Sequence, residues 1–203
     1  MSFDKALVAG KLRRWETYLK HYRLPDWEQI PDLGLYMEQV IALLRQYLDY
    51  LPPELKDEEF ITAAAINNYV RTKIMPEPIK KRYYRIHIAY LLVICTMKQG
   101  LSIALIQKLL PAGLPEDQVR TIYDSFAERH ALAASFFIET VRGVAGPILD
   151  HEETTPFSTG RTEELIISAA IIGGLSRLLA EKLMLLADKD LATGGTIEKL
   201  PGK

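Results

Sequence analysis

The sequence predicts an all-α protein, with short helices in its first half and long apolar helices in its second. Three observations predict it. Apolar residues recur at three- and four-residue spacing through most of the chain, the repeat of a helix with one buried face. No segment shows a sustained two-residue alternation of apolar and polar positions, so no convincing strand is expected. Prolines fall between the periodic segments, where they end helices, rather than within them.

The elements follow in order. Residues 4–22 carry Ala6, Leu7, Leu12, Trp15, Leu19 and Tyr22 on one side of a helix. Pro25 and Pro31 interrupt the periodicity, and a second helix is expected over 34–50 with Tyr36, Val40, Ile41, Leu44 and Leu48 as its apolar stripe. Pro52-Pro53 and the acidic run to Glu59 read as a loop. Thr62 is an N-cap for a short helix to about residue 72. The segment Met75-Pro-Glu-Pro78 is expected to be extended, because each proline disfavours helical backbone before it. A fourth helix spans 84–99 with Ile88, Leu91, Leu92 and Cys95 inward, and Ser102 caps a fifth that Pro111 closes.

Beyond Pro115 the pattern lengthens. Val119, Tyr123, Phe126, His130, Ala133, Phe137, Thr140 and Val144 recur at alternating four and three spacing, the seam of a coiled coil or long helical hairpin. Pro147 ends that helix, and residues 148–160 form a polar loop. Residues 165–186 are apolar nearly all round, which predicts a helix buried on several sides, and 192–203 read as a frayed tail. A boundary near residues 111–115 divides the chain into a domain over 1–112 and a long-helix dimerisation or effector region over 113–203. There is no internal repeat.

Composition narrows the functional classes. Hydrophobic residues make up 48% and charged residues 25% of the 203 positions, a globular mixture. The single cysteine, Cys95, excludes an internal disulfide and a Cys-rich zinc site. The N-terminal residues are polar, without the apolar core of a signal peptide. Arg177, Glu181 and Lys182 interrupt residues 165–186, so these fall short of a membrane span. A cytoplasmic protein without membrane association is expected. His21, His87, His130 and His151 include no pair at the spacing for metal ligation on a helix. The cluster Asp150-His-Glu-Glu153 reads as a solvated loop, and no Gly-rich phosphate loop is present. No catalytic residues, metal or cofactor are expected, and the chain is not read as an enzyme.

The charge distribution says more than the net charge of −1. Residues 24–61 hold nine acids against Arg45 and Lys56, whereas residues 67–87 hold Arg71, Lys73, Lys80, Lys81, Arg82 and Arg85 against Glu77 alone. A basic patch on a near-neutral chain is the footprint that a phosphate backbone selects, and also what a plain solvated face looks like. The helix from Thr62 adds chemistry to the patch. Ala63, Ala64 and Ala65 allow close approach to a groove. Asn67 and Asn68 have the amide that pairs with the edge of adenine, and Thr62, Tyr69 and Arg71 suit phosphate contacts. Lys80, Lys81 and Arg82 follow as a short basic wing, with Tyr83 and Arg85 behind it. The other reading of the same residues is structural: Ile66 and Tyr69 in the core, the asparagines solvated or satisfying backbone groups.

Ile66-Asn-Asn-Tyr-Val-Arg, Ile74-Met-Pro-x-Pro, Lys81-x-Tyr83, Leu91-x-x-Ile94 and Ser102-Ile-x-x-Ile106 together resemble the MerR-type regulators. The resemblance implies a winged helix-turn-helix in the first half, in which Tyr69 stands for the family's second helix tyrosine, Lys81 for its wing arginine and Tyr83 for the tyrosine after it. Asn67 stands where the family has an arginine, and Lys73 where it has a turn glycine. The segment from Leu24-Pro-x-Trp-x-x-Ile-Pro31 through Gln39-Val-Ile41, Ile66-Asn-Asn-Tyr-Val70 and Lys80-Lys-x-Tyr83 to Leu110 is more closely similar to an uncharacterised bacterial family, domain of unknown function 1836. That similarity implies a helical, regulator-like protein and no particular activity.

The expectation is therefore a transcriptional regulator whose first half binds double-stranded DNA. Its second half would form a homodimer through residues 115–190, with an unidentified small-molecule effector as a further partner. The alternative is a helical protein-interaction or ligand-sensing module with the same shape and no affinity for DNA. Whether residues 67–85 present one uncovered positive face separates the two.

Overall fold

The computed structural model describes residues 4–49, 61–150 and 158–184. Among these residues it contains eight α-helices: α1 (Lys5–His21), α2 (Met37–Tyr47), α3 (Ala63–Arg71), α4 (Arg85–Met97), α5 (Ile103–Leu109), α6 (Glu116–Val144), α7 (Gly146–Leu149) and α8 (Thr162–Met184). The helical periodicity and the proline breaks place all the long elements within a few residues of their expected ends. The acidic stretch 50–59, the chelating candidates at 151–153 and the tail lie outside the described residues.

Helix α4 is the centre of the molecule. Nine consecutive residues, His87 to Cys95, are buried. Ala89, Tyr90, Val93 and Ile94 are therefore as enclosed as the expected inward stripe. The reason is packing on several sides: α2, α5 and α6 all rest against α4, and α3 packs on α2. The core they share runs from Leu24 and Trp27 through Val40, Leu44, Ile66, Tyr69 and Tyr83 to Ile106, Leu110, Val119 and Tyr123. Burial of side chains of this size contributes about 1.5–3 kcal/mol each. Two tyrosines put their hydroxyls to use inside it: Tyr90 donates to the Pro111 carbonyl (2.7 Å) and Tyr123 to the Pro25 carbonyl (2.7 Å).

The division at residue 112 runs through this shared core. Val119 and Tyr123 of α6 are buried in it, with Ile122 and Phe126 packed against it. The second half of α6 meets α1 and α7 instead. There Trp15 and Phe137 meet edge to face, with centroids 5.4 Å apart. Arg142 pairs with Glu16, and Arg13 donates to the Leu149 carbonyl (2.8 Å). The seam expected to serve a coiled coil is thus largely covered by this chain's own helices.

Helix α8 departs from expectation. Among the described residues it makes no extended packing with another helix, and α6 and α8 do not form the expected hairpin there. Ile166, Ile167, Ile171 and Leu175 are each more than half exposed, against the prediction of burial on several sides. Among the described residues of α8, Leu165 reaches the small core of Ala9, Ala145, Ile148 and Leu149. No helix of the described residues is long and apolar enough to cross a membrane.

Candidate nucleic-acid interface

The candidate site is built by α3 and the short hairpin that follows it. Thr62 caps α3, its side chain accepting from the Ala65 N–H (3.1 Å). Ile66 and Tyr69 fix the helix to the core. That leaves Ala63, Ala64, Asn67, Asn68 and Arg71 exposed, at positions three and four apart and hence on one face. Asn67 makes no hydrogen bond to another described residue. Asn68 accepts from Arg71 through its side-chain oxygen (2.7 Å), which occupies part of the amide edge that base recognition would use.

The chain leaves α3 through Thr72 and Lys73. Lys73 has φ 56°, a left-handed conformation that glycine adopts more cheaply. This is the position where a glycine stands in the resembling pattern. Gln107 of α5 donates to the Lys73 carbonyl (3.0 Å) and holds the turn. Residues 74–78 then run without helix to a tight hairpin. Ile79 and Arg82 exchange both backbone hydrogen bonds (3.0 and 2.9 Å), and the two residues between them, Lys80 and Lys81, have φ 50° and 63°. Two consecutive left-handed residues closing a two-residue loop form a type I′ turn, which usually carries Asn-Gly. Here it presents two exposed lysines at its tip.

The hairpin is clamped from behind. Leu35 and Tyr83 exchange both backbone hydrogen bonds (2.9 Å each), joining it to the segment before α2. Arg82 donates to the Gly34 carbonyl (2.9 Å) and to the Tyr36 hydroxyl (2.7 Å), and its guanidinium lies 4.3 Å from the centre of the Tyr36 ring. Gly34 is required by closeness rather than by its own turn: a Cβ there would lie 2.7 Å from the Arg82 Cδ. Buried His87 closes the other side. Its Nδ1 accepts from the Tyr84 N–H (3.0 Å), and its Nε2 lies 3.0 Å from the Glu77 carbonyl, which it reaches as a donor. The ring is therefore the neutral tautomer with its proton on Nε2.

The structure thus sorts the eleven sequence-predicted residues. Asn67, Asn68, Arg71, Lys73, Lys80 and Lys81 are exposed, and none of the four basic ones is in an ion pair among the described residues. Thr62 is occupied as a cap. Tyr69 and Tyr83 are corrected to core residues: they are 6% and 3% exposed, and burial raises the pKa of both hydroxyls. Arg82 is a clamp. Arg85 is drawn to the opposite side, donating to the Ile30 carbonyl (2.9 Å) and pairing with Glu28 (3.2 Å). Glu28 also pairs with Arg120 (3.0 Å). One residue was missed. Tyr36, expected in an apolar stripe, is 53% exposed beside Arg82; its place directly before α2, outside the helical repeat, is the signal that could have shown it.

The remaining chemical candidates do not assemble. Among the described residues no three His, Cys, Asp or Glu side chains come together to hold a metal ion. Cys95 is buried, and desolvation pushes its thiol up to about 11, which leaves it the inert thiol expected from its position. His130 sits between Tyr22 and Phe126, with ring centroids 5.8 and 6.4 Å away. Beside α3 lies a shallow depression of about 380 Å3, bordered by Val70, Met75, Glu77, Gln107 and Pro111.

Neither the curated proteins nor the solved structures contain a match to this chain. The sequence model of the family described as "Domain of unknown function (DUF1836)" matches residues 25–126, half of the chain. The matched span covers α2 to α5, the hairpin and the part of α6 that completes the core, but neither α1 nor α8. By that match the chain belongs to the DUF1836 family.

Proposed function

We propose that this protein is a DNA-binding regulator with a MerR-like winged helix-turn-helix, formed by α2, α3 and the Lys80-Lys81 hairpin. The observation that carries the reading is the exposed side of α3 and its hairpin. It offers small residues, amides and four basic side chains that are in no ion pair among the described residues, while every large apolar residue of α3 points inward. A short helix of that kind fits a major groove. The two lysines at the hairpin tip suit phosphates, and the Arg82–Tyr36 clamp holds them in place. Asn67 is the base-reading candidate, since Asn68 is engaged by Arg71. The test is retention of genomic DNA fragments by the purified full chain at two salt concentrations, with the Lys80→Ala/Lys81→Ala variant alongside. Loss of retention in the variant supports the reading, and equal retention refutes it.

A second reading is a ligand-sensing or protein-interaction module. Two observations favour it: Arg82 and Arg85 are committed to internal partners, and the depression beside α3 has an apolar floor with Glu77, Lys73 and Gln107 at its rim. A chain that retains no DNA at low salt would establish this reading over the first.

A further inference from the structure

We infer that Tyr36 is a further contact to the DNA backbone, its hydroxyl donating to a phosphate oxygen beside those that Lys80 and Lys81 meet. The inference rests on the DNA-binding reading and adds to it a residue from the segment before α2. Antiparallel pairing of Leu35 with Tyr83 sets Tyr36 opposite Arg82, the residue that follows the hairpin lysines. There the Arg82 Nη2 donates to the Tyr36 hydroxyl oxygen (2.7 Å). The oxygen is the acceptor in that bond, so the O–H proton turns elsewhere. No described residue accepts it, and the side chain is more than half exposed.

Arg82 makes that proton a stronger donor. Both acceptors of its guanidinium, the Gly34 carbonyl and the Tyr36 hydroxyl, are neutral. They orient the charge without cancelling it, whereas Glu28 pairs with the charge of Arg85. Asp32 and Glu38, exposed acids of the same segment, are in no ion pair among the described residues. A phenol that accepts from a cation is polarised toward donating, because hydrogen bonds in a chain strengthen one another. The acceptor that gains most from such a donor is an anionic oxygen. A phosphodiester presents one at every step of a duplex, and tyrosine hydroxyls are among the groups that bind it. The guanidinium also lies 4.3 Å from the centre of the Tyr36 ring. That contact holds the ring before DNA arrives, so less side-chain freedom is lost on binding.

Fluorescence anisotropy of the full chain on labelled duplexes, at several salt concentrations, tests this with Tyr36→Phe beside Lys80→Ala/Lys81→Ala. Tyr36→Phe removes the hydroxyl and keeps the ring under Arg82. It should weaken binding about tenfold, the worth of a hydrogen bond to a charged acceptor. The loss should be equal on preferred and random duplexes, since a phosphate carries no sequence. The dependence of log affinity on log salt should keep its wild-type slope, because the hydroxyl neutralises no phosphate. The lysine variant should instead flatten that slope. A Tyr36→Phe chain that binds as tightly as wild type, while the lysine variant fails, would overturn the inference and leave the DNA-binding reading standing. A slope flattened by Tyr36→Phe would also overturn it, showing that the hydroxyl merely holds the hairpin for its lysines. So would a loss confined to one preferred sequence, which would make the hydroxyl a base contact. A wild type that binds no duplex at low salt would overturn the inference and the reading together.

Discussion

Replacing the hairpin lysines separates charge from backbone strain at one position. Lys80 and Lys81 both hold left-handed backbone, with φ 50° and 63°, a conformation that costs a residue with a Cβ about 1 kcal/mol or more. Lys80→Ala/Lys81→Ala removes two charges and keeps the strain. Lys80→Gly/Lys81→Gly removes the charges and the strain together. The glycine variant should be more stable to urea than the alanine variant by about 1–2 kcal/mol in all, after allowance for the greater freedom of unfolded glycine. If each lysine neutralises one phosphate, either double variant should flatten the dependence of log affinity on log salt by about 1.8. Between 50 and 200 mM salt, the wild type should then lose about twelvefold more affinity than either variant. Fluorescence anisotropy on a labelled duplex across salt concentrations reads the slope, and urea titration reads the stability. Two variants with the wild-type slope would remove the hairpin from the interface. A glycine variant no more stable than the alanine one would refute the strain argument.

Three further outcomes follow from the same geometry. Asn67→Ala should cost about 1–3 kcal/mol on a preferred duplex and little on random DNA; equal loss on both would assign it a structural role. His87→Ala should destabilise the fold by about 1–3 kcal/mol in urea, since it empties a buried position and strips partners from the part-buried Tyr84 N–H and Glu77 carbonyl, and a change within error would show that water replaces the ring. Burial and then the charge of Arg23 hold the His130 pKa below its ordinary value. The unfolded chain therefore takes up the proton first, so the stability tied to neutral His130 is complete above about pH 6.5 and falls as pH drops through the folded value. His130→Gln should lose less stability than wild type between about pH 7.5 and pH 5, and parallel profiles would contradict this.

Much of the fold was legible because helical periodicity and proline placement are local signals. Thr62 as a cap, the break at Pro76 and Pro78, and the ends of α4 and α6 all follow from neighbours in sequence. A short basic wing was expected at Lys80, Lys81 and Arg82, but its tight turn was not legible, because a type I′ turn is recognised by Asn-Gly and Lys80-Lys81 carries neither residue. Tyr69 and Tyr83 read equally well as surface or core, since a tyrosine side chain suits both, and only the packing around α4 decides. Arg82 and Arg85 were counted with the basic patch because charge is visible in a sequence while its partner is not. Their acceptors, Gly34, Tyr36, Ile30 and Glu28, lie about fifty residues away along the chain. Helix α8 shows the converse: an all-round apolar composition predicts burial on several sides, yet Ile166, Ile167, Ile171 and Leu175 are exposed.

The central claim, that the exposed face of α3 and the Lys80-Lys81 hairpin bind duplex DNA, is tested most directly by selecting duplexes from a random pool with the purified full chain. The account predicts enrichment of one sequence containing a required adenine, affinity that falls steeply with salt, and loss of the adenine preference in Asn67→Ala. A pool that passes through the protein unenriched and unretained at low salt would contradict it.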